Sequence, residues 1–343
     1  MTLEEQVAQL FLVRCPETDA ETFISTYQPG GLVLFARDFE GGDADSIRET
    51  MDNYQMAASI PLLLATDEEG GSVVRISRYE SYRRWPFQSP QELFEENGVD
   101  AFVYDTAEKD ALFKKLGLNV NLAPVCDVSV DENDFMYDRT LGQDANATAE
   151  YVETVVGQMK KDGVGAVLKH FPGYGPNGDS HESVIVDERP KSTFEESDLI
   201  PFSAGIDAGA GGVLLTHNIV SCYDADNPAS LSPAVYAVLR GMMGFDGVAI
   251  TDDLAMEAIT SVYGAGDAAV KALTAGCDLL LSSDFETQYA AVLAAAQNGT
   301  ISADRLRESL RRVLQWKADL GLIVLEDEGP DTDVSTQAPA SAA

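Results

Sequence analysis

Three histidines and several carboxylates are the residues of this sequence whose types and spacing best support proton-transfer chemistry. The histidines are His170, His181 and His217, and histidine is the natural proton carrier near neutral pH. Asp179 precedes His181 by two residues. In an extended loop such residues can point the same way, so the carboxylate could orient and charge the imidazole. A hydrogen bond within an ordinary surface loop is the alternative.

The segment Lys169–His181 reads KHFPGYGPNGDSH and is rich in glycine and proline. This composition predicts a mobile loop with glycine pivots, which could carry His181 towards a bound ligand and away again. A flexible surface loop without a function is the alternative. The charged residues at both ends of the segment favour the functional interpretation.

Eight short apolar runs must position these residues, and longer amphipathic stretches separate them. The runs are almost continuously hydrophobic, as expected for parallel strands buried on both faces. They are Leu10–Cys15, Gly31–Ala36, Leu62–Thr66, Asn119–Val125, Ala166–His170, Gly212–Thr216, Val248–Thr251 and Cys277–Ser282.

Eight β-then-α units predict an α/β fold, a (β/α)8 TIM-type barrel whose first strands are allowed to be irregular. A doubly wound open sheet is the alternative, although no G-x-G-x-x-G motif follows an early strand. The barrel is expected to occupy residues 1–325 as a single catalytic domain. Residues 326–343 are acidic and of low complexity, and they are expected to form a disordered tail.

Polar residues follow six of the predicted strands. In (β/α)8 barrels the catalytic groups lie at the carboxyl ends of the strands and in the loops after them. One site is therefore expected where these residues meet. They are Arg37-Asp38, Asp67-Glu68-Glu69, Asp127, Lys169-His170, His217-Asn218 and Asp252-Asp253.

The charge of the chain excludes several classes of partner. It has 343 residues, with 57 acidic against 23 basic side chains and a formal charge of −34. Nucleic-acid binding needs a basic surface, and an anionic membrane would repel this chain. We therefore expect neither as a partner.

A metal site is a weaker hypothesis, and no cofactor is expected. Histidines and carboxylates could bind a metal chemically, but no H-x-H or H-x-x-x-H spacing supports this. The cysteines form no C-x-x-C pair and are expected to be buried free thiols. They are Cys15, Cys126, Cys222 and Cys277.

Motifs along the chain resemble glycoside hydrolase family 3, specifically its β-N-acetylhexosaminidase branch. The most specific motif is K-H-F-P-G-x-G followed by D-[ST]-H. It stands here as Lys169–Gly175 and Asp179–His181. The resemblance runs from about residue 3 to residue 322. Further matching segments are Gly30–Phe39, Ala65–Arg75, Asn121–Val128, Tyr137–Gly142, Gly211–His217 and Leu239–Ile259.

The resemblance implies a retaining mechanism on a β-linked N-acetylhexosaminide. It implies that Asp252 is the nucleophile, which forms a covalent glycosyl-enzyme. It further implies that His181 is the acid/base and that Asp179 orients His181 and stabilises its charged form. Asp253, the adjacent carboxylate, is expected to be structural.

The resemblance also implies which residues bind the sugar. One carboxylate would accept hydrogen bonds from ring hydroxyls, the 4-OH foremost, and several cationic or imidazole side chains would hold hydroxyls on the other edge. A histidine after the sixth strand is expected to line the pocket. The carboxylate is Asp67, the residues on the other edge are Lys169, Arg139 and His170, Arg75 is a further contact, and the histidine after the sixth strand is His217. The three basic residues of this set, Arg75, Arg139 and Lys169, imply a pocket that is less negative than the molecule around it.

Four features depart from the commonest pattern of the family. Glu68 stands where Gln is frequent, and Tyr174 stands where His is frequent. The segment Pro176–Gly178 is one residue shorter than in many members, and Thr140-Leu141 replaces the usual Ser-Phe. These departures leave the leaving-group specificity and the loop geometry open.

The leading functional hypothesis is an exo-acting β-N-acetylglucosaminidase. Its expected substrates are small carbohydrates, either peptidoglycan fragments or chitin-type oligosaccharides. The stretch after Asp252 has room for two βα units but not for the second domain common in glucosidases of the family, which favours this branch. The alternatives are a phosphorylase with the same site and a non-catalytic sugar-binding protein. The oligomeric state is left open.

The N-terminal segment bears on location. Met1–Val13 lacks the basic stretch of a secretory signal. A cytoplasmic location is therefore expected, with secretion as the alternative if a signal has been removed.

Overall fold

Eight parallel strands form a nearly closed barrel in the computed structural model, which describes residues 1–179 and 183–324. Except where β1 meets β8, strands adjacent in the sheet are consecutive in the sequence, in the order β7-β6-β5-β4-β3-β2-β1-β8. They are β1 (Phe11–Arg14), β2 (Gly31–Leu34), β3 (Leu63–Thr66), β4 (Val120–Asn121), β5 (Gly165–Phe171), β6 (Gly212–Leu215), β7 (Val248–Thr251) and β8 (Leu280–Ser282).

The last two strands close the ring. β8 pairs in parallel with β1, with Phe11 opposite Leu280. At the other edge Ile250 of β7 bridges to Leu279, and the Thr251 N–H donates to the Leu279 carbonyl at 3.2 Å. This closure confirms the barrel prediction. It excludes the doubly wound alternative, because an open sheet keeps its edge strands apart.

The strands form where the sequence is apolar without alternation. β2, β3, β6 and β7 are buried along their whole length, because the barrel interior covers one face and the helices cover the other. The irregular positions are not in the first strands. They are β4, which has two residues, and the pairing of β5 with β6, whose register shifts between Leu168 and Phe171.

Helices cover the outside of the barrel, and several begin at a capping residue. Asp43 accepts a hydrogen bond from the Ser46 N–H, and Ser89 accepts one from Glu92. The helices are α1 (Leu3–Ala8), α2 (Ala20–Tyr27), α3 (Ala44–Ala57), α4 (Pro90–Asn97), α5 (Asp100–Leu116), α6 (Ala145–Asp162), α7 (Lys191–Thr193), α8 (Leu199–Ala208), α9 (Pro233–Ala237), α10 (Glu257–Thr260), α11 (Ala265–Ala275), α12 (Phe285–Gln297) and α13 (Ala303–Asp319).

Short elements lie in the connections. Glu68–Gly70 pairs antiparallel with Val73–Val74, directly after β3. Val186–Asp187 pairs in parallel with Ile219–Val220. The 3-10 turns are Ala36–Phe39, Tyr137–Arg139 and Ala229–Leu231, and the π-helical turns are Phe194–Asp198 and Val238–Met242.

A buried carboxylate ties α13 to the start of β8. Asp278 is fully buried and accepts a hydrogen bond from the Ala249 N–H at 3.1 Å. Arg305 donates to it at 2.5 Å, Arg312 at 3.4 Å, and Arg240 binds its other oxygen. Three cations thus compensate the burial of one charge, and this joins the last helix firmly to the barrel.

One large core joins most of the buried apolar side chains of the described residues. It runs from Val7 to Trp316, and a small second cluster consists of Val125, Met136 and Tyr174. The division into one catalytic domain over residues 1–325 and a tail stays a prediction. The predicted tail, residues 326–343, lies outside the described residues. Three cysteines are buried as expected, but Cys222 is partly exposed. Within the described ranges, no helix combines the length and apolarity needed to cross a bilayer.

Lys317 is a lysine buried inside this core, and none of the residues that the structure describes forms an ion pair with it. It is fully buried, and its Nζ donates to the Gln9 side-chain oxygen at 2.7 Å. The Gln9 amide in turn donates to the carbonyls of Gln28 and Pro29. Burial lowers the pKa of Lys317 from 10.5 to about 7, because desolvation penalises the ammonium.

Lys317→Met tests this burial. Between about pH 7 and the ordinary lysine pKa, the unfolded chain binds more protons at this position than the folded one, so wild-type stability rises with pH. The stability of the variant relative to wild type is therefore expected to fall steadily from about pH 7 to about pH 10. Urea unfolding measures it, with exposed Lys115→Met as the control. A difference that is constant across pH would contradict the assignment.

Candidate active site

A buried carboxylate, Glu69, holds two cations at the carboxyl end of the barrel. Arg139 donates from Nε and Nη2 to its two oxygens, at 3.0 and 2.7 Å. The Lys169 ammonium lies 2.6 Å from Oε1 of the same carboxylate. Glu69 follows β3, Arg139 follows β4 and Lys169 belongs to β5. One charged cluster therefore joins three neighbouring strand ends.

Burial and charge act in opposite directions on this cluster. Burial raises the pKa of Glu69, but Arg139 and Lys169 outweigh it and hold that pKa well below its usual range. Burial lowers the pKa of Lys169, while Asp67 and Glu69 outweigh it and raise that pKa above its ordinary value. Each ion thus stabilises the charged form of its neighbour, and the cluster stays ionised near neutral pH.

Asp67 presents a carboxylate at the edge of the cluster. Lys169 donates to its Oδ1 at 2.7 Å, and an Arg75 nitrogen lies 3.7 Å from Oδ2. Its side chain keeps 15% of its surface exposed, against 2% for Glu69. Asp67 can therefore accept hydrogen bonds from a bound molecule, whereas Glu69 serves the two cations.

Asp127 orients His170. One oxygen of Asp127 accepts from the His170 backbone N–H at 3.1 Å and lies 2.7 Å from its ring Nδ1. The other oxygen accepts from the Tyr174 N–H at 2.7 Å. Because a carboxylate only accepts, Nδ1 carries the hydrogen. Nε2, which lies 3.4 Å from the Arg139 Nη2, is then an acceptor that faces the cluster.

Glu68 fixes the segment that carries Arg75. Its carboxylate accepts from the backbone N–H groups of Arg75, Ile76 and Ser77, at 2.9, 2.8 and 3.2 Å, and from the Ser77 hydroxyl. Burial raises its pKa. This departure from the common glutamine therefore has a structural use, because a carboxylate has two acceptor oxygens for these four donors.

Asp252 and Asp253 point to different partners. Oδ1 of Asp252 accepts from the Asp253 N–H at 2.8 Å. The Asp253 carboxylate accepts instead from the Ala255 N–H at 3.0 Å, the Ser283 N–H at 3.2 Å and the Ser283 hydroxyl. The carboxylate of Asp253 thus holds the turn after β7 against the end of β8, which suits its predicted structural role.

A cavity of about 340 Å³ is lined both by Arg139 and Lys169 of the charged cluster and by Asp252 and Asp253 after β7. Among its lining side chains four are basic and three are acidic, although the whole chain carries a charge of −34. This agrees with the expected less negative pocket. The basic ones are Arg14, Arg75, Arg139 and Lys169, the acidic ones Asp67, Asp252 and Asp253, and the others His170, Val33, Phe35, Val73, Leu122, Leu214, Met256 and Leu281.

His217 lies elsewhere than the pocket wall predicted for it. It is fully buried and is not among the residues that line this cavity. Its ring nitrogens lie 2.7 Å from the Ser230 hydroxyl and 3.0 Å from the Asp253 carbonyl oxygen. His217 thus contacts the main chain beside Asp252, and its predicted contact with the sugar stays a prediction.

The first half of the glycine-rich loop is anchored. Gly173 and Gly175 have φ values of 123° and 64°, and an added Cβ would meet Asp198 at 2.5 Å and Arg189 at 2.4 Å. These two glycines therefore allow close packing and do not act as pivots. Gly178 is exposed, with only Ile185 within 4 Å of such a Cβ, and remains a candidate hinge.

The predicted acid/base region is only partly described. Asp179 is half-buried at the end of the anchored segment, and it has interactions with its surroundings. His181 lies outside the described residues, so its role stays a prediction. Within residues 1–179 and 183–324, no group of three or more His, Cys, Asp or Glu side chains is placed to hold a metal ion.

The cavity therefore collects Asp67, Arg75, Arg139, Lys169, His170 and Asp252 from the predicted set. Sequence reasoning gave no role to Glu69 and Asp127, which hold Arg139 and His170 in place. Both residues follow buried strands, so the strand-end rule marks their location but not their partners.

Glu69→Gln tests how much the charged cluster contributes to the stability of the fold. The variant leaves two buried cations undercompensated, so the free energy of unfolding is expected to fall by about 3–5 kcal/mol. Denaturant unfolding at neutral pH measures this loss. Glu17→Gln is the matched control, because Glu17 pairs with Arg37 at the surface and is expected to change stability by at most about 1 kcal/mol. Equal effects of both substitutions would contradict the account.

Comparison with known proteins shows a family. The family described as "Glycosyl hydrolase family 3 N terminal domain" matches residues 2–316. A "Beta-hexosaminidase" of Xylella fastidiosa (strain M12) is 32% identical over 296 residues, which cover 83% of this chain and 85% of that protein. A "Beta-hexosaminidase" of Xanthomonas oryzae pv. oryzae is 33% identical over 322 residues, 91% of each chain.

Solved structures agree. A glycoside hydrolase family 3 beta-N-acetylglucosaminidase from Paenibacillus sp. str. FPU-7 has a TM-score of 0.88 at 28% identity. The match covers 96% of this chain but 65% of the Paenibacillus chain, so this chain spans about two thirds of that protein. A Beta-N-acetylhexosaminidase from Beutenbergia cavernae has a TM-score of 0.82 at 29% identity, over 93% of this chain and 99% of its own. With the barrel and its cavity, these matches show that the chain belongs to glycosyl hydrolase family 3 and is a glycoside hydrolase.

Proposed function

We propose that this chain is a retaining exo-β-N-acetylglucosaminidase. It releases terminal β-linked N-acetylglucosamine from peptidoglycan fragments or chitin-type oligosaccharides. The observation that carries the proposal is that Asp252 lines the same cavity as Asp67, Arg139, Lys169 and His170. A carboxylate nucleophile and the groups that recognise sugar hydroxyls thus act on one bound ring. The names of the relatives described above support the hexosaminide class.

The charged cluster supplies the sugar contacts in this proposal. Asp67 accepts hydrogen bonds from ring hydroxyls, and the 4-OH is its assigned partner. Arg139 and Lys169 are donors held in place by Glu69, and Nε2 of His170 accepts a hydrogen bond from a sugar hydroxyl. Their partners fix them before the sugar arrives, so binding costs little reorganisation. An Arg75 nitrogen lies 3.7 Å from Oδ2 of Asp67 and helps to hold that carboxylate in place.

The reaction has two steps: the first forms a covalent intermediate, and the second hydrolyses it. First the Asp252 carboxylate attacks the anomeric carbon, the glycosidic C–O bond breaks, and His181 gives its proton to the leaving oxygen. Then His181 takes a proton from water, which attacks the same carbon and releases Asp252. Asp179 orients the imidazole and stabilises its charged form. A histidine acid/base does not follow the spacing rule for paired carboxylates.

The test is a substrate panel. Aryl β-glycosides of N-acetylglucosamine, N-acetylgalactosamine and glucose are incubated with the full chain, with and without inorganic phosphate. We expect the N-acetylglucosaminide to be cleaved fastest, to free N-acetylglucosamine, at a rate that phosphate does not change.

Other results would replace the proposal. A sugar 1-phosphate product that requires phosphate would show the phosphorylase. Binding of N-acetylglucosamine without turnover of any glycoside would show a sugar-binding protein. Faster cleavage of the glucoside would contradict the hexosaminide assignment.

A further inference from the structure

We propose that His217 is a positioning residue for the nucleophile: with Ser230, it clamps the main chain that carries Asp252. The inference rests on the proposed function in one respect, since it takes Asp252 as the nucleophile. It gives His217 a role that differs from contact with the sugar.

The hydrogen bonds of His217 define the proton position on its ring. Nε2 lies 3.0 Å from the Asp253 carbonyl oxygen, which can only accept, so Nε2 carries a hydrogen and donates it. Nδ1 lies 2.7 Å from the Ser230 hydroxyl. In the neutral ring Nδ1 is an acceptor, and the hydroxyl donates to it. Ser230 thereby selects the tautomer that holds the Asp253 carbonyl.

The main chain of Ser230 is held through both its N–H and its carbonyl. Its N–H donates to the Thr216 carbonyl at 3.0 Å, at the end of β6. Its carbonyl accepts from the Tyr236 hydroxyl at 2.9 Å. Ser230 and His217 are both fully buried. The clamp is therefore built on the rigid frame of the barrel and is shielded from water.

The restraint reaches the nucleophile through Asp253. Its carbonyl is fixed by His217, and its carboxylate is fixed by Ser283 and the Ala255 N–H. Its own N–H donates to Oδ1 of Asp252 at 2.8 Å. With the residue held on both sides, this N–H points in one direction and restrains the rotation of the Asp252 carboxylate.

Loss of the clamp should affect turnover more than binding. The sugar contacts come from residues after β3, β4 and β5, whereas His217 follows β6 and does not line the cavity. A misaligned nucleophile slows both its attack and its release, and a displacement of about 1 Å can cost about 100-fold in rate. The signature of a positioning role is a lower kcat at nearly constant KM.

The test compares His217→Leu with His217→Gln. Leucine removes the donor to Asp253, whereas the glutamine amide can replace Nε2–H. We expect kcat to fall about 10- to 100-fold in His217→Leu, with KM within about twofold, and to recover most of that loss in His217→Gln. Ser230→Ala removes the hydroxyl that donates to Nδ1, so the His217 ring can adopt the other tautomer. This variant is expected to lower kcat about 3- to 10-fold.

Ser232→Ala is the matched control. Ser232 lies in the same connection and is fully buried, and its hydroxyl donates to Asp224 at 2.7 Å without touching His217. This variant is expected to melt at a lower temperature and to keep kcat within about twofold. A purely structural role for His217 would give the same pattern in His217→Leu, which would overturn the inference. A His217→Gln variant that is folded but no more active than His217→Leu would also overturn it.

Two measures keep the result separate from the proposed function. Kinetics use whichever β-glycoside the wild-type chain cleaves, so a failed hexosaminide assignment does not affect the comparison. Crystal structures of the variants give a second readout: Asp252 should be rotated in His217→Leu and native in His217→Gln. If His217→Leu does not fold, the kcat values and crystal structures of Ser230→Ala and His217→Gln test the proposal. An unmoved Asp252 and unchanged kcat in Ser230→Ala overturn the proposal.

Discussion

The charged cluster centred on Glu69 is the interaction on which the proposed sugar-binding half of this barrel depends. Glu69, Arg139 and Lys169 come from three successive strand ends, and no two of them are close in the sequence. Only the closed order of β3, β4 and β5 brings them together. Burial of these ions is costly by itself, so each is tolerated because the others compensate it. Asp67 shares Lys169 with Glu69 but keeps part of its surface exposed, and it can therefore meet a ligand.

The other half of the site is built differently. Oδ1 of Asp252 accepts from a main-chain N–H, and that main chain is held by His217 and by the contacts of Asp253 with Ser283. Buried ion pairs thus hold the proposed sugar-binding groups, whereas hydrogen bonds through the backbone restrain the proposed nucleophile.

The sequence predicted the barrel well because the positions of its strands follow from their burial. Strands covered on both faces must be apolar throughout, so all eight could be located. The strand-end rule marked Asp67, Lys169, His170, Asp252 and Asp253, which line one cavity, whereas Arg75 and Arg139 of the same cavity were expected only from the family resemblance. The direction of a side chain was less predictable. His217 stands at a strand end as expected, but its ring turns towards Ser230. The roles of Glu69 and Asp127 depend on partners far along the chain, and no spacing in the sequence encodes those partners. Likewise, the anchoring of Gly173 and Gly175 comes from Asp198 and Arg189.

The most direct measurement of the central claim is covalent trapping of the nucleophile. A fluorinated N-acetylglucosaminyl fluoride forms a glycosyl-enzyme that breaks down slowly, because fluorine destabilises the oxocarbenium-like transition state of its hydrolysis. Mass spectrometry of the intact chain, followed by fragmentation of the peptide that contains Thr251–Leu254, locates the ester. The account predicts one sugar per chain, attached to Asp252. Attachment to Asp253 or to another residue, or continued hydrolysis with no labelled residue, would contradict it.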